Sequence, residues 1–176
     1  MYPLLFKTYG RRIYVDPGLD ETGDYLIRVL QDIVSRYDID ALHLDDYFYP
    51  YPSGGADFPD EETFQNNPRG FTSKADWRRD NVNRIVKRIQ DSVKQIKPWV
   101  EFGVSPFGVW RNANKDPKGS ATKAGVTNYD DLYADVILWA DSGWVDYLAP
   151  QLYWELGKKV ADYAVLAPWW QDNVKN

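Results

Sequence analysis

The chain has 176 residues, 44% hydrophobic and 27% charged, with a net charge of −5, no cysteine and one histidine. That is enough for one domain with a real core, and the acidic balance argues against a partner recognised through its phosphate backbone, so no nucleic acid is expected. Disulfides, thiolate metal sites and cysteine nucleophiles are excluded together, and a single histidine rules out a multi-histidine metal centre. No apolar run approaches the roughly 20 residues of a membrane span, and the apolar start up to Phe6 is too short for a signal peptide. A Ser-His-Asp triad would have to use His43, and there is no Gly-x-Ser-x-Gly elbow.

In chain order, Ile13–Val15 reads as a short extended piece, and Pro17-Gly18 as a turn. A helix follows over about 21–36, with Leu26, Val29, Leu30, Ile33, Val34 and Tyr37 at i, i+3, i+4 spacing and Asp20 or Thr22 available as its cap. Ala41–Asp45 is of strand length and leads into a long loop over about 46–72. The strongest helical pattern comes next: Ser73 and Asp76 resemble a capping box, Val82, Ile85, Val86, Ile89, Val93 and Ile96 form one stripe, and Pro98 ends it. Val100–Ser105 is a second strand, followed by a loop over about 107–127. A third helix is expected over about 129–141, capped by Asn128 and stopped near Gly143. Val145–Gln151 is a third strand, and a last helix over about 160–174 contains Pro168, which should break or kink it.

Strands alternating with helices predict βαβ units and a parallel sheet. Successive strand residues face opposite sides, so Leu42 and Leu44 oppose Ala41, His43 and Asp45. Likewise Phe102 and Val104 oppose Glu101, Gly103 and Ser105, and Leu148 opposes Tyr147, Ala149 and Gln151. One apolar face per strand, with a polar face ending in Asp45, Ser105 and Gln151, fits a barrel better than a doubly wound sheet covered on both sides. Barrel active sites lie at the carboxyl ends of the strands. The fold class is therefore α/β, a partial (β/α)8 barrel with three or four βα units forming one domain over 1–176. A complete barrel typically needs about 250 residues, so the chain reads as an excised or truncated piece whose exposed edges invite self-association.

Parity selects Asp45 over Asp46 as the carboxylate facing the barrel mouth. His43 shares that face, either as a partner of the carboxylate or of a ligand, or as a satisfied core histidine. Glu101 opens its strand and reads as a buried structural partner. Glycoside hydrolysis uses two carboxyls flanking the scissile bond. Asp45 supplies one; Asp46 and Glu155 are the options for the other, although Asp46 also suits turn chemistry and Glu155 a solvated loop. The aromatic content of 16% suits either a core or the flat faces of sugars. Its position after the strands nominates Tyr47, Tyr49, Trp110, Tyr153 and Trp154, together with Arg111, Asn112 and Gln151, as ligand contacts.

Three segments carry a resemblance: Asp40-Ala-Leu-His-Leu-Asp-Asp-Tyr-Phe-Tyr-Pro, Phe102-Gly-Val-Ser-Pro-Phe-Gly-Val-Trp-Arg-Asn and Asp146-Tyr-Leu-Ala-Pro-Gln-Leu-Tyr-Trp. In order and content they resemble the glycosyl-hydrolase-like family 10 of bacterial glycosidases, as do Tyr14-Val-Asp-Pro-Gly and Trp169-Trp170. The resemblance implies a TIM barrel of which these are the fourth to sixth strands, a carbohydrate substrate, no cofactor or metal, and an extracellular, periplasmic or cell-surface location. More distantly, Asp40-Ala-Leu-His-Leu-Asp45 is similar to the fourth-strand motif of the α-amylase-like clan, with Asp45 at the nucleophile position and His43 in place of an arginine. That clan offers an acid at the end of its fifth strand, where this sequence has Ser105-Pro106. The expected activity is cleavage of an O-glycosidic bond in a polysaccharide or glycan, and the rival is a non-catalytic carbohydrate-binding barrel.

Overall fold

The computed structural model describes residues 5–46 and 48–174. It opens with an antiparallel hairpin, β1 (Phe6–Tyr9) and β2 (Arg12–Val15). Gly10 turns the chain between them at φ +59, which costs a glycine no Cβ clash. Only the second strand of this hairpin is legible from the sequence as a short extended piece.

Helix α1 (Asp20–Arg36) follows, one residue earlier than expected. Neither Asp20 nor Thr22 caps it: Leu19 holds the cap position and gives no side-chain hydrogen bond. Asp16 organises the entry instead. It is fully buried and accepts hydrogen bonds from the Gly18 amide at 2.9 Å and the Thr63 hydroxyl at 2.6 Å. Of the expected stripe, Val34 is buried and Leu30 packs on the core, while Val29 and Tyr37 are exposed. The buried face is rotated because α1 lies along the next long helix rather than over the sheet alone.

Between Asp45 and that helix the chain forms an unforeseen short helix, α2 (Glu61–Asn66). Then α3 (Lys74–Ile96) begins where the capping pattern puts it, with Ser73 Oγ accepting from the Asp76 amide at 3.3 Å. Val82, Val86, Ile89 and Val93 are buried to within 2% of completely. A helix of this length can carry the chain back to start a parallel neighbour, as parallel pairing requires.

The sheet has the order β3-β4-β5, all parallel, with β3 (Ala41–Asp45), β4 (Glu101–Ser105) and β5 (Tyr147–Leu148). β5 is shorter than the expected 145–151. Ladder-like hydrogen bonds continue from the Ala149 amide to Val104 and from the Gln151 amide to Pro106, but Pro150 between them has no N–H to give. Asp146 pins the start of this strand by accepting from the Phe102 amide at 2.7 Å and Lys94 at 2.8 Å. Partial burial pushes its pKa up, but these bonds prevail and hold its carboxyl below the ordinary range.

The third helix is a correction. Residues 129–135 are not helical; α4 is only Val136–Asp141, and Asp135 caps it by accepting from the Leu138 amide. Asn128 donates instead to the Phe107 carbonyl at 2.6 Å, and Tyr133 adopts φ +54, which no helix tolerates in its interior. The last helix, α5 (Tyr163–Asn173), is capped by Asp162 and passes through Pro168 without ending.

The faces of the sheet divide as the alternation predicts. Leu42, Phe102 and Val104 are buried in the main core with the stripe of α3 and with Trp139 of α4. Ala41, His43, Asp45 and Glu101 lie on the other face and are exposed. Glu101 is therefore an exposed residue and not a buried partner. The architecture is mixed α/β: a small parallel sheet with helices on one face, and a separate hairpin.

Candidate functional site

The exposed face of the sheet carries a row of polar side chains that crosses all three strands. His43, Gly103 and Tyr147 are register partners on β3, β4 and β5. Because Gly103 has no side chain, the Tyr147 ring lies over it; a Cβ there would come within 2.1 Å of the ring. The phenol thus spans the middle strand and its oxygen reaches His43 Nδ1 at 3.0 Å, the two rings stacking with centroids 5.7 Å apart. His43 Nε2 lies 2.9 Å from Ser105 Oγ.

One step further along, Asp45 and Ser105 are partners in register. Ser105 Oγ donates to Asp45 Oδ1 at 3.0 Å. Gln151 Nε2 donates to the same oxygen at 2.9 Å and to the Ser105 carbonyl at 3.0 Å. The Asp46 amide adds a third bond to Asp45 Oδ1 at 2.9 Å. Three donors on one oxygen fix the carboxylate plane. Among the described residues Asp45 Oδ2 accepts no hydrogen bond, so that oxygen is presented to solvent at the carboxyl end of the strand. Such an atom can attack an electrophilic carbon or stabilise developing positive charge.

The other nominated residues divide into those near this row and those absorbed by loop structure. Gln151 and His43 belong to the row. Asp46 is 6% exposed, and its carboxylate accepts from the Tyr51 hydroxyl, so it braces the loop while its amide orients Asp45. Tyr47 lies outside the described residues. Tyr49, expected at a subsite, is buried in the core: it is 1% exposed, packs edge-on against Phe58 and Tyr133, and accepts from Asn81 at 3.1 Å. Burial, the largest cause, raises its phenol pKa well above the ordinary value.

Arg111 is likewise committed within the protein, gripping Asp130 through two bonds of 2.8 and 3.0 Å and Asp116 through a third of 2.8 Å. Hydrogen bonding to Asp130 raises its pKa further. Asn112 uses its whole amide to close the loop over residues 112–124, accepting from Thr122 and the Ala124 amide and donating to the Ala124 carbonyl. Trp110 is 7% exposed and stacks on Trp169. These three shape the β4 loop; a ligand would find little of them at the surface.

Tyr153 and Trp154 remain on the rim after β5. Tyr153 is 86% exposed, and Trp154 packs edge-on against Phe107, itself in edge contact with Tyr51. Glu155 follows them, 75% exposed and 3.6 Å from Lys158. Among the described residues no hydrogen bond joins Glu155 to the Asp45 row.

Ser105, Tyr147 and Gly103 complete the row, although none was nominated from the sequence as a site residue. Their signal was there, since parity put all three on the polar face. It could not show that a tyrosine on one outer strand would cross a glycine to reach a histidine on the other. Beside the row, an apolar cavity of about 330 Å³ is lined by Leu26, Leu30, Phe48 and Ile85 together with His43 and Asp45 of β3. No helix among the described residues is long and apolar enough to cross a membrane.

The family described as glycosyl hydrolase-like 10 matches residues 4–176. The chain is 51% identical over 99% of its length to glycosyl hydrolase YngK of Bacillus subtilis, and covers 34% of that protein. It is 46% identical over 96% of its length to glycosyl hydrolase DigH of Escherichia coli, and covers 38% of it. The chain therefore spans about a third of the length of these curated relatives.

Proposed function

The chain belongs to the glycosyl hydrolase-like 10 family, and from that premise we propose that it is part of a glycosidase that cleaves O-glycosidic bonds of a polysaccharide or glycan at Asp45. The observation that carries the reading is the state of that carboxylate: one oxygen held by three donors, the other with no donor among the described residues, at the carboxyl end of a parallel strand. Asp45 Oδ2 serves as nucleophile or as electrostatic stabiliser of the oxocarbenium-like transition state. Gln151, Ser105 and the Asp46 amide hold its plane, and Tyr153 and Trp154 offer rings for sugar faces at the rim.

The exposed face of the sheet is then the interior of a (β/α)8 barrel. The rest of a longer chain would pair with the free edges of β3 and β5 and cover the cavity beside β3, which fits a segment that spans about a third of its relatives. In isolation those edges favour self-association. Glu155 is the candidate second carboxyl within these residues; otherwise the remaining strands supply it. Its distance from Asp45 in the assembled barrel sets the outcome, about 5 Å for retention and 6.5–9.5 Å for inversion.

A second reading rests on the end of β4, where Ser105 stands in place of an acid: the barrel would bind a glycan without cleaving it. The discriminating experiment uses the full-length protein and a panel of polysaccharides, scoring both new reducing ends and binding. In the enzyme, Asp45→Asn abolishes reducing-end release while binding stays near normal. A full-length protein that binds a panel member and cleaves none is a binding barrel.

A further inference from the structure

We propose that Tyr147, His43 and Ser105 form a one-way hydrogen-bond chain that holds His43 as its Nε2–H tautomer and positions Asp45, with Ser105 as the positioning residue and Gly103 as the gap that lets the chain cross the sheet. The inference deepens the glycosidase reading and rests on it for the role of Asp45; the bonding sense does not depend on it.

The direction follows from what each atom can do. Asp45 is an acceptor, so the Ser105 hydroxyl spends its single proton on Asp45 Oδ1 at 3.0 Å. Ser105 Oγ then has lone pairs only for His43 Nε2, 2.9 Å away, so that nitrogen carries a proton and donates. In a neutral ring Nδ1 is then an acceptor, and the Tyr147 hydroxyl at 3.0 Å donates to it. Every donor meets an acceptor once, in one order. The chain covers three strands, and only the middle one lacks a side chain at the level of the crossing: an added Cβ at Gly103 would sit 2.1–2.3 Å from the Tyr147 ring. Gly103 has no positive φ to explain it, so the space for Tyr147 is what the glycine provides.

The consequence for the reaction is geometric. Ser105 and Gln151 approach Asp45 on the same oxygen, which leaves Oδ2 toward the substrate. Without the histidine behind it, the Ser105 hydroxyl is free to rotate toward solvent. His43 and Tyr147 touch no reacting atom on this account; they act through Ser105.

Nitrogen chemical shifts of the full-length protein labelled with ¹⁵N-histidine test the chain without any substrate. The His43 resonances are identified by their loss in His43→Gln. In the unmodified protein at neutral pH, Nε2 is protonated and Nδ1 is not. Ser105→Ala removes the acceptor of Nε2 and yields a mixture of tautomers, Tyr147→Phe removes only the donor to Nδ1 and keeps Nε2–H, and Ser105→Thr keeps the parent pattern. Circular dichroism verifies that each variant is folded. A predominant Nδ1–H tautomer in the unmodified protein overturns the proposal, as does a tautomer indifferent to Ser105→Ala. On a polysaccharide that the full-length enzyme cleaves, Ser105→Ala lowers kcat roughly 10- to 100-fold, the reach of one hydrogen bond to a charged group, with KM little changed and Ser105→Thr recovering most of the loss. Activity abolished by Asp45→Asn but untouched by Ser105→Ala sinks the positioning role while sparing the glycosidase reading. A full-length protein that cleaves nothing sinks that reading and the positioning role with it, while the tautomer still decides the bonding sense.

Discussion

Two polar clusters follow from β3 and differ in how their carboxylates are held. Under the loop that follows β3, Asp60 is fully buried and Arg78 is 3% exposed. Arg78 makes two bonds to Asp60 at 2.6 and 2.9 Å, others to Asp57, Tyr133 and the Phe58 carbonyl, and lies over the rings of Tyr49 and Tyr133. Burial opposes its charge, but the bonds to Asp60 and Asp57 outweigh that and raise its pKa. On the sheet face, by contrast, Asp45 is exposed and one of its oxygens accepts no hydrogen bond among the described residues. The first cluster is saturated, so it can only hold the loop in place. Among the described residues the second is restrained on one side alone, which is what the proposed function requires of it. A carboxylate beside a strand end is not informative in itself; the number of its partners and its exposure distinguish scaffold from site.

Removing Asp45 and removing Arg78 should therefore fail in different assays. On the proposed reading Asp45→Asn lowers hydrolysis by roughly 10⁴- to 10⁶-fold, the scale of losing one member of a concerted site, while the urea midpoint of the folded protein hardly moves. Arg78→Met does the reverse: it removes both Arg78 bonds to buried Asp60, leaving Lys74 at 3.2 Å as the remaining cation, and costs about 3 kcal/mol of stability, the low end for breaking a buried pair, read from urea denaturation. A variant at Arg78 that unfolds at the parent midpoint would break the contrast.

Gly103→Ala sharpens it at smaller scale. The new methyl group drives the Tyr147 ring off β4, and because that ring can swing toward solvent the cost is about 1 kcal/mol, the low end for overpacking. The loss of the ring stacking on His43 is read from the histidine's ring-proton shifts. Smallest is the pH response of Asp57 at the margin of the buried cluster. Partial burial, the largest influence, would raise its pKa, but Arg78 and Lys74 overcome it and lower the value from 3.8 to about 2. A depressed carboxyl stabilises the fold above its unfolded pKa and loses that contribution as pH falls through the folded one. The unmodified protein should thus lose its stability advantage over Asp57→Asn between about pH 4 and pH 2, measured as the difference in urea midpoint; a constant difference across that window would remove Asp57 from the ledger.

Legibility followed periodicity. The stripe of α3 and the alternation of β3 and β4 arise from burial on one face, and burial leaves a pattern along the chain. The first strand of the hairpin, α2 and the loop over 129–135 left none: α2 is tied to Asp16 through Thr63, and the loop to Phe107 through Asn128 and to the positive φ of Tyr133. The same limit explains the subsite residues. Tyr49, Arg111 and Asn112 sit in the expected loops, yet Asn81, Asp130 and Ala124 had claimed them, and sequence position cannot show who a side chain's partner is.

What the sequence determined by itself is therefore the parallel α/β pattern, the polar face of the strands and the choice of Asp45 over Asp46, because each follows from a two-residue or 3.6-residue period. Tertiary structure decided the rest: that Tyr147 crosses Gly103 to His43, that Ser105 and Gln151 converge on one oxygen of Asp45, and that the acids near Arg78 are scaffold. These are facts of register between strands up to 106 residues apart in the chain, and register between strands is set by packing in three dimensions, which no local period encodes.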